Sequence, residues 1–162
     1  MKLRTGVNIA EVKKHIRDRS YMSGVARERT RVKSTGEVFT PTALVIKDLA
    51  ELPIELFTES SKTYLDNGCG DGQYLSEVLI RKLENGIDFE QALSTIYGVD
   101  LMQDNVELCR ERLLCGRDDL RHIVELNIVC ADALTYHYRF DGTDASVTNK
   151  DLHLRELGFE FS

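Results

Sequence analysis

Three acids and three glycines carry the chemistry that this sequence offers. Each of three short β-type runs closes on an aspartate: Thr63-Tyr64-Leu65 on Asp66, Thr95-Ile96-Tyr97-Gly98-Val99 on Asp100, and Asn127-Ile128-Val129-Cys130-Ala131 on Asp132. Directly after the first run, glycines alternate at Gly68, Gly70 and Gly72. Glycine permits φ > 0 and leaves bare main chain for a ligand to approach. A helix start behind such a turn adds unpaired N–H groups. In an open parallel sheet, ligands bind beyond the carboxyl ends of the strands, so the three acids are expected around one site. Asp100 follows the turn by about thirty residues, where a carboxylate can accept both hydroxyls of a ribose. The expected ligand contains a nucleoside. The spacing D-x-G-x-G-x-G differs from the G-x-G-x-x-G that admits a pyrophosphate, and neither a following basic residue nor a Gly-Lys-Ser/Thr is present. An amino-acid portion suits this turn better than phosphates.

The elements that must hold these residues follow from periodicity. The apolar residues Tyr74, Leu75, Val78, Leu79 and Leu83 predict a helix over 73–84, ending at Asn85-Gly86. A short amphipathic segment from Phe89 to Leu93 leads into the second strand. Val106, Leu108, Cys109, Leu113 and Leu114 predict the next helix, over 103–115, with Gly116 as its C-cap. A stretch with some helical character, Asp118 to Val124, precedes the third strand. Three strand–helix repeats with buried-looking strands predict a parallel sheet of α/β type. Upstream, Thr40 is expected to cap a helix whose first residue is Pro41 and which stops before Pro53. Asn8 is expected to cap a helix over 8–19 with Ile9, Val12 and Ile16 on one side. Beyond Leu134 the pattern weakens. Asp151 to Leu157 has the composition of a helical turn, and Phe159-Glu160-Phe161 the pattern of an edge strand.

The chain has 162 residues and a net charge of −6, which hides a division. Residues 1–33 hold ten Lys/Arg against three acids, a net +7, so the remainder carries −13. Such asymmetry points to a basic arm with a polyanionic partner, or to an arm that docks on its own acidic body. Arg27, Arg29 and Arg31 alternate, with Lys33 following in register, and in an extended chain present one row of cations suited to nucleic-acid phosphates. Cys69, Cys109, Cys115 and Cys130 show no metal-ligand spacing and are expected to be reduced and mostly buried. No metal site is expected. No run approaches the length of a membrane span and the N-terminus lacks a signal-like apolar stretch, so a membrane partner is not expected and the cytoplasm is the default location.

The motifs together resemble class I S-adenosylmethionine-dependent methyltransferases, and more narrowly the DNA adenine methyltransferases of restriction–modification systems and phages. Gly36-Glu37-Val38-Phe39-Thr40-Pro41 resembles their N-terminal cofactor motif, which implies that Phe39, Thr40 and Pro41 contact the methionine portion. Leu65 to Leu75 resembles the glycine motif, with Asp66, Gly68 and Gly70 near the methionine and ribose. Gly98-Val99-Asp100-Leu101 resembles the next motif, with Asp100 on the ribose and Leu101 against adenine. Cys130-Ala131-Asp132-Ala133-Leu134 resembles the third, where Asp132, with Ala133 beside it, meets the adenine. The resemblance covers residues 34–140. It implies a Rossmann-like methyltransferase fold whose parallel sheet is cut after three strand–helix units. A basic helical arm over 1–33 precedes it, and a tail over 141–162 follows.

One part of the family pattern is missing. The catalytic Asn/Asp-Pro-Pro-aromatic motif, which orients the target amine and stacks on a flipped base, has no counterpart. The only prolines are Pro41 and Pro53, so the sequence assigns no catalytic residue. Two leading functions follow as expectations. One is a methyltransferase-like protein acting on adenine in DNA, with a partner subunit supplying the catalytic motif. The other is a catalytically inactive S-adenosylmethionine-binding regulatory or decoy module. A small-molecule methyltransferase using Tyr136, His137 or Tyr138 is a third. In each case the open edge of the first strand needs cover from the Phe159–Phe161 tail, a second copy of the chain or another subunit.

Overall fold

The computed structural model describes residues 7–18 and 40–142. The expectations for Phe39, for the cations Arg27, Arg29, Arg31 and Lys33, and for the tail from Asp151 to Phe161 lie outside the described residues. In chain order the elements are α1 (Ile9–Asp18), α2 (Thr42–Ala50), α3 (Glu55–Thr58), β1 (Tyr64–Asp66), α4 (Gln73–Glu84), α5 (Phe89–Ser94) and β2 (Ile96–Asp100). There follow α6 (Gln103–Leu114), a 3-10 turn (Asp118–Leu120), α7 (Arg121–Asn127) and β3 (Ile128–Cys130). The chain is a mixed α/β fold built on a three-stranded parallel sheet in the order β1-β2-β3. No helix among the described residues is long and apolar enough to cross a membrane.

Helices α4 and α6 lie side by side on one face of the sheet. Leu75, Val78, Leu79, Ile80 and Leu83 of α4, with Val106, Cys109, Leu113 and Leu114 of α6, are all buried there. Gly98 in the middle of β2 lets α4 come close. A Cβ on it would stand 2.7 Å from Leu75 Cδ1 and 3.0 Å from Cys69 Sγ. Behind this layer Lys82, fully buried, donates to Lys62 O at 2.6 Å and Thr95 Oγ1 at 3.0 Å, tying together the approaches to β1 and β2. Burial lowers its pKa, and the two oxygen partners satisfy the buried cation.

The opposite face carries Leu65, Tyr97, Val99 and Val129 by strand alternation. The segment after β3 crosses it. The Phe140 ring lies 4.8 Å from that of Tyr97, with Tyr136 and Tyr138 packed edge-on beside it. Tyr138 and Phe140 hold φ of 55° and 53° without being glycine, a conformation that costs about 1 kcal/mol or more each. Two hydrogen bonds keep it: Tyr138 Oη donates to Ala133 O at 2.7 Å, and Phe140 N–H donates to Tyr136 Oη at 3.0 Å. Tyr136 and Tyr138 therefore serve packing, not the cleft described below. Leu65, on the same face of β1, remains 48% exposed.

Two sequence expectations shift at element ends. Pro41, not Thr40, precedes the first helical residue of α2: its carbonyl accepts from Val45 N–H at 3.1 Å and its ψ is 138°. Proline's fixed φ serves an extended residue as well as a helical one. At the end of α6 the left-handed turn begins one residue early, at Cys115 with φ 48°, and continues through Gly116. Of the N-terminal stretch, α1 is capped as expected by Asn8, whose Oδ1 accepts from Ala10 N–H at 3.0 Å. Val12 and Ile16 sink into the core. Lys13 pairs with Glu84, and Arg17 holds the buried Glu77 at 3.2 Å.

The close approach at Gly98 yields a test. Gly98→Ala is expected to lose about 1–3 kcal/mol in urea unfolding, because the added methyl overpacks a core with no slack. A loss below a few tenths would show that α4 can retreat from the sheet.

Candidate functional site

A cleft of about 290 Å³ opens at the carboxyl end of β1. Its walls are Thr40, Tyr64 and Asp66, the turn from Asn67 to Asp71, and Gln73 and Tyr74 at the start of α4. Of the residues expected to bind a ligand, it brings together Thr40, Asp66, Gly68 and Gly70. Pro41 stands next to it in the chain. Asp100, Leu101, Asp132 and Ala133 are not among its walls.

The register explains that separation. Asp66 lies level with Gly98, and Asp100 lies level with Cys130. Each acid therefore stands two residues further along than its predecessor, about 7 Å per strand. The acids form a diagonal, and a ligand touching all of them must be extended.

Each acid also has a local task that sequence reading did not supply. Asp66 Oδ1 accepts from Gly68 N–H at 3.1 Å, Asp100 Oδ1 from Met102 N–H at 2.9 Å, and Asp132 Oδ1 from Leu134 N–H at 2.9 Å. In all three the side chain caps the N–H two residues on; Asp66 and Asp100 so turn the chain at the last residue of β1 and β2, whereas β3 ends at Cys130, two residues before the expected Asp132. An aspartate at a strand end is thus explained in part without any ligand. Asp100 goes further: its Oδ2 accepts from Gly70 N–H at 2.9 Å, and Asn105 Nδ2 donates to its Oδ1 at 3.1 Å. Asp100 thereby acts on the cleft through the backbone of the turn.

The electrostatics of the cleft are one-sided. Among the described residues its walls include no Lys, Arg or His, and of its two acids Asp71 is buried and paired with Arg112, so Asp66 sets the sign. Burial pushes the Asp66 carboxyl above 3.8, an effect reduced by the Gly68 N–H and reinforced by Asp100. Opposite, Tyr74 Oη donates to Asp48 Oδ2 at 2.6 Å, and this bond foremost pushes the phenol up to about 12. Under the turn, the neighbouring Cys109 thiol and burial raise Cys69 well above its ordinary value, so it is a packed thiol and not a nucleophile.

The glycines divide by role. Gly70 and Gly72 have φ of 54° and 91°. A Cβ on Gly72 would also stand 2.8 Å from Cys109 Sγ. A Cβ on Gly68 would meet nothing within 4 Å, so its free side is open space at the cleft wall. Gly72 belongs to the packing and Gly68 to the cleft.

The raised Asp66 pKa has a defined consequence. The folded chain keeps this proton to a higher pH than the unfolded chain does, so its ionisation costs stability as pH rises above 3.8. Asp66→Asn is expected to raise the melting temperature at neutral pH, with the gain fading to nothing as pH falls below 3.8. A gain that ignores pH, or a loss at neutral pH, would contradict this account of the carboxyl.

Compared with family models, with curated proteins and with solved structures, the chain matches none.

Proposed function

We propose that this chain binds S-adenosylmethionine in the cleft at the glycine turn, as the cofactor half of a methyltransferase acting on adenine in DNA. The observation that carries the proposal is the acidic cleft itself. Asp66 faces it, one carboxylate oxygen is spent on Gly68 N–H, and no cation lines the walls among the described residues. Such a site repels phosphates and favours a ligand with positive charge. S-Adenosylmethionine carries two, an ammonium and a sulfonium. The parallel sheet, with its cleft at the carboxyl end of β1, supports a Rossmann-like fold. On this proposal Asp100, Leu101, Asp132 and Ala133 receive the nucleoside along the diagonal of strand ends, while Phe39, Thr40 and Pro41 close over the methionine end. Arg27, Arg29, Arg31 and Lys33 grip DNA phosphates.

A second reading has its own support. The sequence lacks Pro-Pro, so it contains no Asn/Asp-Pro-Pro-aromatic motif to orient an amine. The chain is then a binding module, or the cofactor-binding part of an enzyme whose catalytic motif is supplied from outside this sequence.

Calorimetric titration with S-adenosylmethionine tests the cofactor. Saturable one-site binding is expected, and no binding would overturn the proposal. Gly68→Val is expected to abolish binding while the melting temperature moves by no more than about 3 °C, because the new side chain enters the cleft alone. Asp100→Ala is a harsher change: it removes the acceptor for three donors, and a stability loss of about 1–3 kcal/mol accompanies weakened binding. Transfer of a labelled methyl group to duplex DNA by the purified chain would favour the enzyme, and binding without transfer the module. Four phosphate contacts from the arm predict a slope of about −3.6 for log affinity against log salt. A flat dependence would remove DNA as partner.

A further inference from the structure

Beneath the glycine turn lies a buried ion pair in which Asp71 backs the cleft wall and Arg112 stands outside it. Arg112 Nη2 stands 3.1 Å from Asp71 Oδ2, with the side chains 4% and 1% exposed. Gln73 Nε2 donates to both oxygens of Asp71, at 3.2 and 3.4 Å. Thr42 Oγ1 in turn donates to Gln73 Oε1 at 3.5 Å. One polar chain thus runs from the first residue of α2, across the turn, to the last turn of α6.

Arg112 is not alone on its helix. Asn105, Cys109 and Arg112 share one buried face of α6 at helical spacing. Each meets a different part of the turn or its support. Asn105 reaches Asp100, which caps Gly70; Cys109 lies against Gly72; Arg112 grips Asp71. A glycine turn has no side chains of its own to fix its shape, and here the shape is imposed by a helix from the following strand–helix unit.

We propose that Arg112 is a positioning residue for the cleft: through Asp71 it holds the glycine turn in the form that receives the ligand, though it lines no part of the cleft itself. The inference rests on the S-adenosylmethionine reading for its ligand and on the ion pair alone for its geometry. A buried pair adds little or nothing to stability over well-packed apolar residues of similar size, whereas removing one partner strands the other. Stability and positioning can therefore be separated by changing both partners together.

The test compares Asp71→Leu/Arg112→Met, Arg112→Lys and the parent chain by three measurements. The paired variant is expected to melt within about 5 °C of the parent. Its affinity for S-adenosylmethionine should fall about tenfold or more, because the turn is no longer preorganised. Amide exchange in ligand-free protein should quicken at Gly68, Gly70 and Gly72 while the buried amides of β2 keep their rates. Arg112→Lys, which keeps the charge, should recover part of both effects. Unchanged exchange at the three glycines in the paired variant would overturn the inference, as would parent-like affinity. If the parent binds no S-adenosylmethionine, the cofactor proposal falls. The exchange rates then decide alone: faster exchange confined to the turn upholds the positioning role, and unchanged exchange removes it.

Discussion

The seat of the glycine turn on α6 is the constraint on which the rest of the molecule depends. Between Asp66 and Gln73 the backbone must leave a strand, pass two residues at positive φ and enter a helix. Nothing in a run of glycines holds that path, since glycine gives up more conformational freedom on ordering than any other residue. The path is held from outside, by the Asp100 carboxylate on the Gly70 N–H, by Cys109 against Gly72, and by Arg112 on Asp71. Hydrogen bonds to charged groups are worth about 1.5–3 kcal/mol each, enough to hold a short loop. Because all three supports come from β2 and α6, the first strand–helix unit acquires its cleft only when the second is folded against it.

The strand-end acids show how one residue type serves two demands. Asp66, Asp100 and Asp132 each cap the N–H two residues on, at the last residue of β1 and β2 and two residues past the end of β3. That use consumes one carboxylate oxygen and points the group beyond the sheet. Turn chemistry thus places carboxylates where a parallel sheet presents its ligand. The stagger of the register then spreads them along a diagonal and leaves Asp66 nearest the cleft.

The charge division of the sequence is partly resolved by α1. Lys13 and Arg17 meet Glu84 and Glu77 on α4, and Val12 and Ile16 anchor the helix in the core. Part of the N-terminal positive charge thus neutralises the body of the same chain. The Arg17–Glu77 contact has more structural weight than an exposed pair, because Glu77 is buried and would be stranded without its partner.

Features under short-range control were legible along the chain. The bounds of α4 at 73–84, the order of strands and helices, the Asn8 cap and the turn after β1 follow from periodicity and from neighbours within four residues. Tertiary structure decided what depends on distant partners. Asp100 meets Gly70 across 30 residues, Arg112 meets Asp71 across 41, and Arg17 meets Glu77 across 60. No local pattern marks Asp71 and Arg112 as a buried pair; they read as two surface charges. Tyr136 and Tyr138 read as candidates for chemistry, yet their packing on Phe140, and that of Phe140 on Tyr97, required the chain to double back over the sheet. The sequence therefore named candidate residues, while strand register and the docking of α6 decided which of them share one cleft.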